Sequence, residues 1–206
     1  MTVGGMAGVL PDVSRETTER LEHYANLVRK WSPKINLVSR TTLADLENRH
    51  IADSAQIFAC APTARRWADL GSGAGFPGLV CAILALERSP DTTFTLVESD
   101  LRKATFLRTV IRETGLTATV VSERAECTEP LAADVVSARA LADLATLLSY
   151  AARHMASGGT ALFPKGATWE KEVADAQAAW SFSMTRHKSG THPDAVILQI
   201  GDVAHV

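Results

Sequence analysis

Trp67-Ala68-Asp69-Leu70-Gly71-Ser72-Gly73-Ala74-Gly75-Phe76-Pro77-Gly78 is the stretch that decides the fold. Trp67 to Leu70 is a short apolar run and reads as a buried strand, and Leu79 to Leu86 reads as the helix that follows. The glycines between them admit positive φ and let a ligand approach the backbone. Pro77 suits the first turn of a helix, where its missing N–H costs nothing. A strand, a glycine turn and a helix open a doubly wound α/β sheet, whose ligands sit beyond the carboxyl ends of the strands.

Toward the C-terminus the alternation continues. Strands are expected at Thr93–Glu98, Ala118–Ser122, Asp134–Ser137 and Thr160–Pro164. Helices are expected at Leu101–Thr114, from Leu141 to Met155 with an end at Gly158-Gly159, and from Thr168 to Ala179. Asp100 is a fitting N-cap and Gly115 a fitting stop. Two strand-like runs, Ser181–Arg186 and Ala195–Ile200, flank a turn-rich stretch and should pair as an antiparallel hairpin. Toward the N-terminus no strand pattern occurs. Leu21, Tyr24, Leu27, Val28 and Trp31 recur at helical spacing and form a core stripe, and Pro33 should stop that helix. Residues 42–58 read as one further helix with Thr42 as its N-cap. The fold class is α/β and Rossmann-like, a mostly parallel sheet with an antiparallel C-terminal hairpin. A helical N-terminal region (1–64) precedes that domain (65–206).

Composition narrows the function classes. The 206 residues are 46% hydrophobic and 21% charged, as in a globular chain. A net charge of −2 excludes coating nucleic acid by bulk charge. Residues 29–50 nevertheless carry five basic and two acidic side chains, either a solvated helix face or a contact surface. Cys60, Cys81 and Cys127 are far apart, which disfavours a disulfide scaffold and a zinc site built on cysteine pairs. The histidines lack metal-ligand spacing, so no metal is expected. No apolar run approaches the ~20 residues of a membrane span. Met1 to Leu10 lacks the basic start of a signal peptide. A cytoplasmic protein, monomeric and away from membranes, is the expectation.

Three ligands compete for the glycine loop. A Walker loop needs a lysine after the last glycine, and Leu79 stands there. Gly73 to Gly78 matches G-x-G-x-x-G, with Glu98 twenty residues beyond, as in a dinucleotide site. A nicotinamide-dependent oxidoreductase also needs proton-transfer residues, and neither Tyr24 nor Tyr150 has a lysine four residues on. S-adenosylmethionine sites on this fold use an acid, then G-x-G-x-G, then an acid ending the second strand. Asp69, Gly71, Gly73, Gly75 and Glu98 fit that pattern. The bland reading is that Asp69 caps the loop and Glu98 is an exposed strand end.

The same stretch resembles the signature of the small-subunit rRNA methyltransferase G family, also called glucose-inhibited division protein B. Trp31-Ser32-Pro33-Lys34-Ile35-Asn36-Leu37-Val38 and Arg49-His50-Ile51-Ala52-Asp53-Ser54 are similar to two further family runs. Arg124-Ala125-Glu126, Ser137-Ala138-Arg139-Ala140 and Pro164-Lys165-Gly166 follow in order at expected strand ends. Val38 stands where threonine is usual, and Pro164 where leucine is commoner. The resemblance implies the class I methyltransferase fold and methyl transfer from S-adenosylmethionine to N7 of a guanosine in 16S rRNA. It implies cofactor contacts at Gly71, Gly73, Phe76, Glu98, Ala125, Glu126 and Arg139, with Ala125 and Glu126 against the adenine. Arg139 would lie between the methionine end and the substrate, with Lys165 as a second positioning residue.

Guanine N7 has a free lone pair, so no general base is expected and proximity carries the reaction. The stretch after the fourth strand lacks the N/D-P-P-Y/F of amino-group methylases. Cys127 reads as a packing residue rather than a nucleophile. Lys34, Arg40 and Arg49 are the expected phosphate contacts, and His50 either faces the RNA or is a helix histidine satisfying Asp53. A methyltransferase for another RNA, a protein or a small molecule, an oxidoreductase, and a non-catalytic ribosome assembly factor are the alternatives.

Overall fold

A computed structural model describes residue 10 and residues 12–206. The opening stretch read from Met1 lies outside the described residues, apart from Leu10. Helix α1 (Arg15–Ile35) starts where the Ser14 hydroxyl accepts the Thr17 N–H at 3.2 Å, and it buries Leu21, Tyr24, Leu27 and Val28 as the spacing predicts. Trp31 meets Phe106 edge-on at 5.7 Å. Pro33 does not stop this helix. It lies in the last turn, where it removes one backbone bond. The end comes at Asn36, whose left-handed φ of 51° lets its N–H close on the Ser32 carbonyl at 2.9 Å.

The single helix expected at 42–58 is broken into three pieces. They are α2 (Arg40–Leu43), a π-helical turn (Glu47–Ala52) and α3 (Asp53–Cys60). Ser39, not Thr42, is the N-cap of α2, since its hydroxyl accepts the Thr42 N–H at 3.2 Å. A π turn takes in one residue more than an α turn. That shift lets Ile51 and Ile57 both reach the core while His50 points to the sheet's ligand edge.

The sheet follows from β1 (Arg66–Leu70), β2 (Thr93–Val97), β3 (Ala118–Val121), β4 (Ala133–Ala138), β5 (Met155–Lys165), β6 (Trp180–Lys188) and β7 (Val196–His205). The helices between them are α4 (Gly78–Arg88), α5 (Leu101–Thr114), α6 (Leu144–His154) and α7 (Trp169–Ala176). Strand order is β3-β2-β1-β4-β5-β7-β6. The first five strands pair in parallel, and β7 runs antiparallel to both β5 and β6. The C-terminal hairpin is thus as expected. Helix α6 is shorter than the reading at both ends. Asp143 caps it by accepting the Thr146 N–H at 2.9 Å, and Met155 to Gly159 open β5 instead of closing the helix.

Both sheet faces are covered, as a parallel sheet requires. On one face Trp67, Leu96, Val135 and Leu162 pack with Leu79, Phe106 and the buried stripe of α1. On the other, Leu70, Val136, Phe163 and Leu198 pack with Leu144, Leu148 and Ala176. The carboxyl ends of β1 through β5 lie along one edge, and the chain's winding reverses between β1 and β4. A ligand site belongs at that reversal.

Candidate active site

The loop after β1 is shaped by its glycines. Gly73 and Gly75 hold φ of 57° and 96°, which L side chains rarely adopt. Ser72 ties the loop down: its N–H donates to the Val97 carbonyl at 3.0 Å and its hydroxyl to the Asp69 carbonyl at 2.9 Å. At the end of β2, Glu98 is nearly buried and held by two amides. The Gly73 N–H donates to Oε2 at 2.8 Å and the Asp100 N–H to Oε1 at 2.7 Å. Each oxygen keeps a lone pair for a further donor.

A cavity of about 320 Å³ opens in front of this carboxylate, walled by Gly71, Gly73, Glu98, Ala125, Glu126 and Leu141. Five of the expected cofactor residues therefore surround one space. Lys103, Arg124 and Tyr150 also line it. Tyr150 donates to Glu126 Oε2 at 3.3 Å. His154, fully buried on α6, contacts the Ala125 carbonyl through Nε2 at 2.8 Å. Burial lowers its pKa, so the ring is neutral with its proton on Nε2, and it fixes Ala125. Cys127 is exposed in the loop after β3, contrary to its expected packing role, because that loop stays at the surface.

Asp69 lies beneath the loop rather than in the cavity. Trp67 Nε1 donates to Ser137 Oγ at 2.9 Å, and Ser137 Oγ donates to Asp69 Oδ1 at 2.6 Å, tying β1 to β4. Oδ2 faces the Gly78 amide without closing a hydrogen bond on it. Burial raises the Asp69 pKa to about 6, against the opposing pull of Ser137 and Ser72.

Arg139 leaves β4 on the other side of the loop. Its Nη2 donates to His50 Nδ1 at 2.7 Å and its guanidinium stands 5.0 Å from the centre of the Phe76 ring. It makes no ion pair among the described residues, and burial lowers its pKa. His50 stacks on Phe76 at 4.9 Å. Burial first, then the Arg139 charge, lowers its pKa to about 4, so the ring is neutral at pH 7 and accepts at Nδ1. His50 thus partners Arg139 rather than Asp53, whose carboxylate takes the Thr191 hydroxyl. Phe76 is buried between Tyr24, His50 and Arg139 and does not line the first cavity.

Arg139 and Lys165 line a second cavity of about 380 Å³, and Ala140 is a wall of both cavities. Lys34, Arg40 and Arg49 are exposed, and the side chains of the first two make no hydrogen bond or ion pair among the described residues. The Arg49 carbonyl accepts from Arg139 Nη1 at 3.5 Å. Among the described residues no group of three His, Cys, Asp or Glu is placed to hold a metal, and no helix is long and apolar enough to cross a membrane.

The first cavity fits a nucleoside-bearing cofactor. A Cβ on Gly73 would meet nothing nearer than the Gly71 carbonyl at 3.8 Å, so the space before it is open for a ligand. Glu98 presents two fixed acceptors of the kind a ribose diol needs. The volume lies within the usual range for such ligands.

Residues 17–197 match the family model described as rRNA small subunit methyltransferase G. The chain belongs to this family. It is 57% identical over 195 residues to the ribosomal RNA small subunit methyltransferase G of Ruegeria pomeroyi, covering 95% of this chain and 96% of that one. It is 45% identical over 197 residues to the protein of that name from Rhizobium meliloti, covering 93% and 92%. Solved structures share the fold at low identity. A methyltransferase from Geobacter sulfurreducens superposes with a TM-score of 0.60 at 13% identity, over 94% of this chain and 91% of that one. A TehB-like SAM-dependent methyltransferase from Corynebacterium glutamicum gives 0.58 at 15%, over 87% and 98%. Class I methyltransferase architecture and family membership therefore agree.

Proposed function

We propose that this chain transfers a methyl group from S-adenosylmethionine to N7 of a guanosine in 16S rRNA of the small ribosomal subunit. The observation that carries the reading is that two cavities share Ala140 as a wall. One is walled by Glu98 and the glycine loop, the other by Arg139 and Lys165. Family membership supplies the substrate class.

When bound, the cofactor supplies an electrophilic methyl on a sulfonium. Glu98 would hold its ribose, and Ala125 and Glu126 would face its adenine. Arg139 has no carboxylate partner among the described residues and would meet an anionic group in the second cavity. Guanine N7 carries a free lone pair, so no proton is removed, and neutral His50 serves to aim Arg139 rather than to act as a base. The residues then work by holding the acceptor in place, a proximity effect. Lys34, Arg40 and Arg49 are exposed cations suited to RNA phosphates.

The test is labelled-methyl transfer to small subunits from a strain lacking the modification, followed by nucleoside analysis. Label in 7-methylguanosine at one 16S position is the expected result. Label on another base, or no label from protein that binds S-adenosylhomocysteine, overturns the reading.

A further inference from the structure

The second cavity contains a carboxylate outside the proposed cofactor contacts, Glu172. Glu172 sits on the first turn of α7, and its side chain is 25% exposed beside a Lys165 side chain only 8% exposed. Lys165 Nζ donates to Glu172 Oε2 at 2.7 Å and to the Ala142 carbonyl at 3.1 Å. Thr168 Oγ1 donates to Glu172 Oε1 at 3.3 Å. Both groups line the cavity, whose walls include Ala140, Ala142 and Pro164.

The remaining hydrogen-bonding capacity can be counted. An ammonium has three donors, and two of those of Lys165 are used, which leaves one. A carboxylate oxygen accepts at two sites, and each oxygen of Glu172 has one filled, which leaves one on each. The pair therefore keeps one donor and two acceptors for a ligand in this cavity. The Watson–Crick edge of guanine presents O6, N1–H and N2–H, which is acceptor, donor, donor. Adenine offers an acceptor at N1 and no donor at C2, so it would leave the carboxylate facing a lone pair. A site that must leave a buried polar group unpaired rejects the wrong ligand strongly.

We infer that Glu172, oriented by Lys165, reads the N1–H and N2–H edge of the acceptor guanine. The inference rests on the proposed function and deepens it. N7 is on the opposite side of the purine from that edge, so a grip on N1 and N2 turns N7 away from Glu172. Glu172 would touch the substrate, while Lys165 acts partly through it as a positioning residue.

The experiment measures binding of guanosine, inosine and adenosine monophosphates to the full chain saturated with S-adenosylhomocysteine. Inosine lacks only the N2 amino group. Loss of one hydrogen bond to a charged group should weaken binding about tenfold, with adenosine monophosphate weaker still. In E172Q, which keeps the side chain's shape, the guanosine-to-inosine ratio should fall to within about twofold, since the lost contact is the one being compared. Its affinity for S-adenosylhomocysteine should stay at the wild-type value, and its methyl transfer to unmodified small subunits should fall. A merely structural ion pair would not change the nucleotide ratio. Equal binding of guanosine and inosine monophosphates by wild type, or an unchanged ratio in E172Q, overturns the assignment of Glu172 even if wild type places label on guanine N7. Label on a base other than guanine overturns the proposed function and this inference together.

Discussion

Asp69 concentrates the chemistry of single residues here, because a fully buried carboxylate is used to build a loop. Burial lifts its pKa from 3.8 to about 6. A carboxyl whose folded pKa is raised binds its proton more tightly in the folded state. Stability is then greatest below pH 3.8 and is lost as pH rises through about 6. Two pKa units correspond to about 3 kcal/mol. The D69N variant carries no such charge. Wild type should therefore lose about 3 kcal/mol relative to D69N between pH 3.5 and pH 7, whatever constant offset the amide introduces at Gly78. Urea unfolding of both proteins across that range checks it, and parallel curves would show that Asp69 titrates normally. His50 acts in the opposite sense between pH 6.5 and 4, and comparing two chains that both contain it cancels its effect. The sequence placed Gly71, Gly73 and Glu98 at strand ends because turn residues and strand length set those positions locally, whereas Ala125 and Glu126 came from the family resemblance alone. Lys103, Tyr150 and Glu172 were not legible in that way. They reach the cavities from helix faces, and which face turns inward is fixed only once the helices dock.

The glycine loop shows how one element separates folding from binding. At Gly75 an added Cβ would stand 2.4 Å from Leu79 Cδ1 and 2.7 Å from its Cγ, inside the first turn of α4, at a φ of 96°. At Gly73 the same Cβ makes only an ordinary contact with the Gly71 carbonyl at 3.8 Å, at a φ of 57° that costs an L residue about 1–2 kcal/mol. G75A should lose about 3 kcal/mol or more of stability, combining overpacking with backbone strain. G73A should keep a cooperative fold, about 1–2 kcal/mol weaker, yet bind S-adenosylhomocysteine at least tenfold less tightly, because its methyl enters the cavity. Denaturant curves and calorimetric titration of both variants separate the two effects. Equal cofactor affinity in G73A and wild type would remove that face of the loop from the site. Elsewhere, local signals misjudged two elements. Pro33 and Gly158-Gly159 are strong breakers in isolation. The first is tolerated in a closing turn, and the second is drawn into β5 by the strands on either side. The π turn has no local signature, since it exists to bring Ile51, Ile57 and His50 to different neighbours at once.

At the scale of the molecule, the helical region and the sheet differ in architecture but share one core. Leu21, Tyr24, Val28 and Ile57 are completely buried in the same cluster as Phe76, Leu79 and Phe106. The Tyr24 hydroxyl donates to the Ala74 carbonyl at 2.6 Å, so α1 also fastens the glycine loop. The sequence showed the apolar stripe of α1 but not its partner, because a stripe records that a face is buried and not against what. Burying a large apolar side chain contributes about 1.5–3 kcal/mol. Four such side chains contribute roughly 6–12 kcal/mol, comparable with the 5–15 kcal/mol that holds a typical domain together. From that shared core we propose that the division at residue 64 marks a change of pattern and not a stable unit. A chain beginning at residue 65 should lack a cooperative thermal transition and bind no S-adenosylhomocysteine, although every residue lining the first cavity is present. The full chain should melt in one transition, with tryptophan fluorescence and far-ultraviolet circular dichroism changing together. A truncated chain that unfolds cooperatively and binds the cofactor would make the helical region a separate module, free to serve RNA binding alone. Failure to fold would mean that the exposed cations near α2 are carried by a segment whose first task is to complete the core and set the loop.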